Sequence, residues 1–125
     1  MIVIDYQDRR PLYEQIAQRF QELILRGVLE EGSQMPSVRK LAVDLSMNPN
    51  TIQRAFGLLE QQGYIYAVKG RGNFVSAKGN YLGQKQQELL GRLDDLLEEG
   101  YHLGVERKTW EERISSFYEK KGGSE

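Results

Sequence analysis

The sequence predicts a mainly α-helical fold, of the α+β class, in which one small β-hairpin lies between three helices and two further helices. Three observations predict it. Apolar residues recur at helical spacing in several segments, two short helical segments are separated by only a tight turn, and a run of aromatic and β-branched residues leads into a glycine-rich turn.

The first helix is predicted over about residues 11–26, because apolar residues form a stripe along one face. They are Leu12, Tyr13, Ile16, Ala17, Phe20, Leu23 and Ile24. Pro11 suits the first turn, where a missing N–H costs nothing, and Gly27 is expected to end the helix. Upstream of this helix, residues 2–5 could form a short edge strand.

The second and third helices are expected to form a helix-turn-helix. Ser37 and Asn48 are the predicted N-caps, since a side-chain oxygen there accepts a hydrogen bond from a free N–H of the next turn. Pro49 then takes the first position of the third helix, which is expected to stop at Gly63. Lengths of about nine residues, about three for the turn and about fifteen agree with that motif.

A hairpin with a basic, glycine-rich tip is predicted after the third helix. Its strands are residues 64–68 and 73–76, which are rich in residues that favour strands. The turn between them reads Lys69, Gly70, Arg71 and Gly72. The hairpin would be the wing of a winged helix-turn-helix domain, expected over residues 1–77.

Residues 78–125 are expected to be a second domain, an antiparallel hairpin of two helices over about residues 81–103 and 106–121. Each helix has an apolar face that a monomer cannot cover, which indicates a partner. We expect these faces to form a homodimer. The expected interface residues are Leu89, Leu93, Leu96, Leu97, Trp110, Ile114, Phe117 and Tyr118.

Composition and charge restrict the class of protein. The chain has no cysteine, which excludes disulfides and thiolate metal sites, and no apolar run approaches the roughly 20 residues that span a bilayer. A cytoplasmic protein without cofactor is therefore expected. Residues 1–77 contain nine Lys and Arg against eight Asp and Glu, so net charge alone does not indicate nucleic-acid binding.

The position of the charges is more informative than their sum. Side chains that can bond base edges stand outside the apolar stripe at the start of the third helix. They are Asn50, Thr51, Gln53 and Arg54. Arg39 and Lys40 follow Ser37 at a helix N-terminus, which favours phosphate. Lys69 and Arg71 at the hairpin tip suit a minor groove or its phosphates, although Arg71 could equally pair with a nearby carboxylate.

Four segments in the first domain form a specific pattern by their order and spacing. They are MPSVRKLA (35–42), NPNTIQRAF (48–56), LEQQGYI (59–65) and GRGNFV (70–75). This pattern, about half of the chain, resembles the DNA-binding domain of GntR-type bacterial regulators. The short two-helix tail resembles the YtrA-like subfamily, whereas ligand-binding members of the family carry a large effector domain.

The resemblance implies individual contacts with DNA. Arg39 would contact a guanine or the backbone, Gln53 would point into the major groove, and Lys69 and Gly70 would engage the minor groove. Three residues would lie near phosphates and base edges at the start of the third helix: Asn48, Asn50 and Thr51. Pro49 stands where many relatives carry a base-reading arginine, so those relatives do not give the operator sequence.

The expected function is that of a homodimeric transcription regulator, in the family usually a repressor, that binds double-stranded DNA at a palindromic operator. No enzyme activity is expected, since no nucleophile–base pair or phosphate-binding loop is found. Two alternatives stay open: a winged helix that binds proteins, and a sensor with a small-molecule pocket at the dimer interface. Two helices alone are not expected to enclose a pocket of about 300 Å³ or more.

His102 is the only histidine, and acidic residues precede it on the same helix. They are Asp95, Glu98 and Glu99. This group could form a weak surface metal site, but a solvated helix face is favoured because metal sites need more convergent ligands. No metal is therefore expected.

Overall fold

The computed structural model describes residues 2–122, and its contacts separate two compact units on either side of the Gly83–Gln84 bond. The elements are α1 (Leu12–Leu25), α2 (Val38–Leu45), α3 (Pro49–Gln61), β1 (Ile65–Val68), β2 (Gly72–Val75), a short 3-10 turn (Lys78–Asn80), α4 (Leu82–His102) and α5 (Arg107–Lys120). The predicted helices and both predicted strands are confirmed, with ends that differ by one or two residues. The mainly helical fold with one hairpin is therefore confirmed.

The core of the first unit forms around α3, which packs against α1, α2 and β1. Phe20 of α1 and Phe56 of α3 are almost completely buried and meet edge to face, with ring centroids 5.6 Å apart. Such an aromatic pair contributes about 0.5–1.5 kcal/mol beyond the burial of its apolar area. The stripe that predicted α1 is thus the surface that holds α3 in place.

The hairpin is also bonded to the loop before α2, a contact that the sequence does not predict. β1 and β2 pair antiparallel, with Ile65 opposite Val75 and Val68 opposite Gly72. The loop before α2 runs along the other edge of β2, where Met35 N–H donates to the Asn73 carbonyl at 2.8 Å and Val75 N–H donates to the Ser33 carbonyl at 2.9 Å. β2 is therefore hydrogen-bonded along both of its edges, to β1 on one side and to the loop before α2 on the other.

Residues just beyond the hairpin contribute to the first unit. Tyr81 is almost fully buried and stacks on Tyr64, with ring centroids 4.5 Å apart. Leu82 packs partly buried against the same core. The boundary between the two units consequently follows these residues, whereas the sequence places the domain boundary after Ala77.

The possible edge strand over residues 2–5 was wrong. These residues are not in a strand, and two of their main-chain groups are bonded to side chains of α1. Asp5 N–H donates to the Gln15 side chain at 3.3 Å, and Arg19 donates to the Val3 carbonyl at 3.4 Å. Ile2 and Ile4 pack against the core from this irregular segment.

The second unit consists of α4 from Gln84 onward and of α5, which are joined by a turn over residues 103–106. Val105 N–H donates to the Gly100 carbonyl at 2.9 Å, and the Trp110 ring lies directly against Gly100. Along residues 2–122, none of the helices is long and apolar enough to cross a membrane.

Candidate nucleic-acid interface

The starts of α2 and α3 are capped as the sequence predicts. The Ser37 hydroxyl accepts a hydrogen bond from Lys40 N–H at 3.0 Å, and the Asn48 side chain accepts one from Asn50 N–H at 2.8 Å. Between the helices, Ser46 adopts a left-handed conformation with φ of 54°, and Met47 N–H donates to the Ala42 carbonyl. These local bonds fix the angle at which α3 leaves the turn.

α3 presents a polar face to solvent at its N-terminal half. Its apolar positions are buried against the rest of the first unit: Ile52, Ala55, Phe56 and Leu59. On the opposite side Asn50, Gln53, Arg54 and Gly57 are exposed, and Thr51 is half-buried. Because α3 carries no acidic residue before Glu60, this surface presents only donors, neutral acceptors and one positive charge.

Arg54 turns from this face towards α1. The centre of its guanidinium lies 3.9 Å from the centroid of the Tyr13 ring, at a cleft of about 360 Å³ between the starts of α1 and α3. The sequence assigns Tyr13 only to the apolar stripe of α1. Its contact with Arg54 has no signal in the sequence, because the two residues are distant along the chain.

The basic residues predicted to face DNA are exposed, and they have no acidic partner among the residues that the structure describes. Across residues 2–122, none of the ion pairs involves their side chains. These residues are Arg39, Lys40, Arg54, Lys69 and Arg71. A carboxylate partner for Arg71, which the sequence leaves open, is therefore not found within the described part of the chain.

The ion pairs of the first unit form near the start of α1 and along it. Arg10 pairs with Asp8 at 2.7 Å and Arg19 pairs with Glu22 at 3.1 Å. The hydrogen bonds from Arg10 hold the pKa of the Asp8 carboxyl below its usual value. The first unit is nearly neutral in total, but these neutralised charges lie outside the set that could face DNA.

Gln34 anchors the tip of the wing and was missed from the sequence. Its side-chain N–H₂ donates to the Arg71 carbonyl at 2.7 Å, across a separation of 37 residues. Gly72, with φ of 106°, makes room for it, since a Cβ there would lie 3.2 Å from the Gln34 side-chain nitrogen. Lys69 and Arg71 are therefore carried on a fixed turn.

Comparison with known proteins assigns this arrangement to a family. The sequence profile described as "Bacterial regulatory proteins, gntR family" matches residues 12–75, slightly more than half of the chain. The chain belongs to the GntR family. It is 38% identical, over 128 residues, to the HTH-type transcriptional repressor YtrA of Bacillus subtilis (strain 168), an alignment that covers 98% of this chain and 97% of that protein.

Solved structures of similar fold support the assignment of the chain to the GntR family. A transcriptional regulator from Oenococcus oeni superposes with a TM-score of 0.77 at 27% identity, covering 94% of this chain and 98% of that one. The DNA-binding domain of AraR, in complex with operator ORR3, superposes with a TM-score of 0.53 at 27% identity, covering 59% and 89%. The resemblance to GntR-type, YtrA-like regulators is confirmed, and the chain is a DNA-binding transcription regulator.

The structure of the GntR chain brings the predicted DNA-binding residues to three neighbouring elements of one unit. Ser37, Arg39 and Lys40 lie at the start of α2. The turn before α3 and its first turns carry Asn48, Asn50, Thr51, Gln53 and Arg54, and the wing tip carries Lys69, Gly70 and Arg71. Their individual contacts with DNA stay predictions.

The second unit of the GntR chain holds two further features. His102 bonds Glu98 at 3.0 Å on an exposed face, and in the part of the chain that the structure describes no group of three or more His, Cys, Asp or Glu is placed to hold a metal. α4 and α5 also line an open groove of about 700 Å³. Its lining includes Leu89, Leu93, Leu96 and Tyr118.

Proposed function

We propose that this GntR-family chain represses transcription by occupying a palindromic operator as a homodimer in the cytoplasm. The observation that carries the proposal is the exposed polar start of α3, flanked by basic side chains that have no acidic partner in the described residues. A major groove admits one such helix, and unpaired cations at its sides suit the phosphates that line the groove. The similarity to a protein named as a repressor supports the direction of regulation.

Gln53 is the proposed base reader. It is exposed on the second turn of α3, and among residues 2–122 its side chain takes no part in a hydrogen bond, so both ends of its amide are available. A glutamine can bond adenine through two hydrogen bonds in the major groove, and a good pair of this kind discriminates by about 1–3 kcal/mol. Phosphate contacts from α2 and the wing would position the domain without reading sequence.

The test compares Gln53→Ala with Gln61→Ala in the full chain. Gln61 is also exposed on α3, two turns or about 12 Å farther along the helix, so its replacement controls for the loss of an amide. Binding is measured by fluorescence anisotropy, with a duplex that the wild-type chain recovers from a random-sequence pool and with a shuffled duplex of equal composition. Gln53→Ala should reduce the ratio of the two affinities by about 5- to 150-fold, whereas Gln61→Ala should leave it near the wild-type value.

Two results would contradict this proposal in different ways. An unchanged ratio for Gln53→Ala would remove its specifying role and leave the regulator in place. A wild-type chain that binds both duplexes equally weakly at moderate salt would refute operator binding, and would favour a winged helix that recognises a protein instead.

The apolar faces of α4 and α5 support a homodimer. Seven of the eight expected interface residues are 37–55% exposed, so these large apolar side chains are uncovered in the single chain. Trp110, the eighth, is partly buried against Gly100. A second copy would cover this surface and place two α3 helices on half-sites about one helical turn apart.

Leu93→Asp combined with Phe117→Asp tests the interface in sedimentation. The double variant should sediment as a 14.4 kDa monomer and bind a full palindrome more weakly. Val43→Asp, at a 73% exposed position of α2, is the control and should stay dimeric. A double variant that remains dimeric would place the interface elsewhere.

A sensor is the second candidate, because the groove between α4 and α5 has the volume of a ligand site. Homodimerisation through these helices should fill the groove with side chains of the second copy. If a crystal structure of the dimer shows the groove still open, and a compound bound there releases the operator, the sensor is the correct assignment.

A further inference from the structure

The contact between Arg54 and Tyr13 separates this arginine from the base-reading face of α3. Arg54 follows Gln53 on the same helix, yet its guanidinium lies over the Tyr13 ring of α1, 3.9 Å from the centroid. A guanidinium over an aromatic ring is attracted electrostatically by the negative face of the ring. The stack therefore selects one direction for a side chain that would otherwise be mobile.

The position of Arg54 over the ring uses none of the N–H donors of its guanidinium. No hydrogen bond or ion pair within residues 2–122 involves the Arg54 side chain, so its N–H donors can meet another group. The Glu14 carboxylate accepts a hydrogen bond from the Tyr13 hydroxyl at 3.2 Å, and within residues 2–122 it forms no ion pair with Arg54. A planar guanidinium with a free edge suits the two oxygens of a phosphate.

The cleft beside the stack is lined by groups that suit an anion. It measures about 360 Å³, and its lining residues include no acid: Leu12, Tyr13, Asn50, Thr51 and Arg54. The amide of Asn50 and the hydroxyl of Thr51 form no hydrogen bonds within the described chain, so both can donate to a phosphate oxygen. The cleft thus combines one cation with two neutral donors.

The main-chain N–H groups at the start of α3 are not free to bind such an anion. Pro49 has no N–H, Asn50 N–H is bonded to the Asn48 side chain at 2.8 Å, and Thr51 N–H is bonded to the Asn48 carbonyl at 3.0 Å. In many helices these groups would bind a phosphate. Here side chains must supply the contact, which makes the direction of Arg54 decisive.

We infer that Tyr13 is a positioning residue of the DNA-binding surface, which holds Arg54 against one backbone phosphate at the cleft between α1 and α3. Arg54 then contributes affinity that is independent of sequence, while its neighbour Gln53 reads bases. This inference rests on the proposed function. It changes the role of Arg54 from a base contact on α3 to a phosphate contact at the edge of the groove.

The experiment is a double-variant cycle in the full chain, with the recovered duplex and the shuffled duplex over a range of salt concentrations. Arg54→Ala should weaken binding to both duplexes by about ten-fold or more. It should also make the fall of log affinity with log salt less steep, by about 0.9 for each bound copy. Tyr13→Leu should weaken binding to both duplexes by about two- to five-fold. Tyr13→Phe, which keeps the ring, should bind them as the wild type does.

Tyr13→Leu added to Arg54→Ala should cause no further loss, because the ring acts only through the arginine. Thermal unfolding of every variant checks the fold, since Tyr13 also packs against the core. Arg54→Ala and Tyr13→Phe disturb the fold least and keep the test valid if Tyr13→Leu unfolds.

Three results would overturn the inference while leaving the regulator intact. They are additive losses in the cycle, a Tyr13→Phe variant as weak as Tyr13→Leu, and an Arg54→Ala variant that changes the ratio of the two affinities. Failure of the wild-type chain to prefer its recovered duplex would instead refute the proposed function itself.

Discussion

Two glycines, one inside α3 and one just beyond its end, should respond to the same substitution with opposite signs. Gly57 lies in the middle of α3 on its exposed side, and a Cβ added there would meet nothing within 4 Å. Glycine in a helix interior is about 0.8–1.0 kcal/mol less favourable than alanine. Because no clash offsets this gain, Gly57→Ala should stabilise the chain by nearly that amount.

Gly63, just beyond α3, is the matched opposite case. Its φ is 87°, and an added Cβ would collide with the carbonyl oxygen of Asn80 and lie 3.3 Å from the carbonyl carbon. The left-handed conformation alone costs a residue with a Cβ about 1–2 kcal/mol. Since the obstacle is main chain rather than a flexible side chain, Gly63→Ala should destabilise the chain by at least about 2 kcal/mol.

Thermal unfolding at one fixed protein concentration measures both effects, because the melting temperature of the proposed dimer would depend on concentration. A change of 1 kcal/mol shifts the midpoint by roughly 4–8 °C in a unit of this size. Gly57→Ala should melt several degrees above the wild type and Gly63→Ala at least as far below. A destabilised Gly57→Ala would show that this side of α3 is covered, and an unchanged Gly63→Ala would show that Asn80 does not pack there.

Three further substitutions test other contacts. Gly100→Ala should displace the only tryptophan, Trp110, from α4, because a Cβ at position 100 would overlap its ring. The second unit should lose about 1–3 kcal/mol of stability. Tryptophan fluorescence measures the displacement, and an unchanged emission maximum would contradict it. Burial raises the pKa of Tyr81 above 10.0, so the stability that depends on its neutral form is present below that pH and is lost as pH rises through the shifted pKa. Tyr81→Phe should therefore lose less stability in urea between pH 7 and alkaline pH than the wild type, whereas Tyr6→Phe, at a 71% exposed position, should lose as much. Ser37→Ala removes the cap of α2 and should cost about 1 kcal/mol in the same assay, with Ser37→Thr close to neutral.

The features that could be predicted from the sequence depend on local interactions. The caps at Ser37 and Asn48 bond main-chain groups two or three residues away, so residue type and spacing are enough to locate them. Helix faces follow from apolar periodicity in the same way, and the buried side of α3 agrees with that prediction. The exposed start of α3 follows from the same pattern, since its polar residues fall outside the apolar stripe.

The features that could not be predicted join residues that are far apart along the chain. Gln34 is bonded to a carbonyl 37 residues away, and Arg54 of α3 meets Tyr13 of α1 although α2 lies between them along the chain. Tyr81 stands at the predicted start of the fourth helix, in the second predicted domain, yet it is buried against Tyr64 of the first unit. Periodicity assigns such residues to a loop, an apolar stripe or a helix end, because it does not include the partners that the tertiary fold supplies.

The bond between Gln34 and the wing also gives the first unit a fixed internal length. Met35 N–H is bonded to β2, and α2 begins three residues later, so the tip cannot slide along DNA independently of the helices. The regulator would therefore keep a fixed distance between its proposed minor-groove contact at the wing and its proposed major-groove contact at α3. One base pair added between those two parts of a half-site moves them apart by about 3.4 Å, so a single insertion should abolish one of the two contacts.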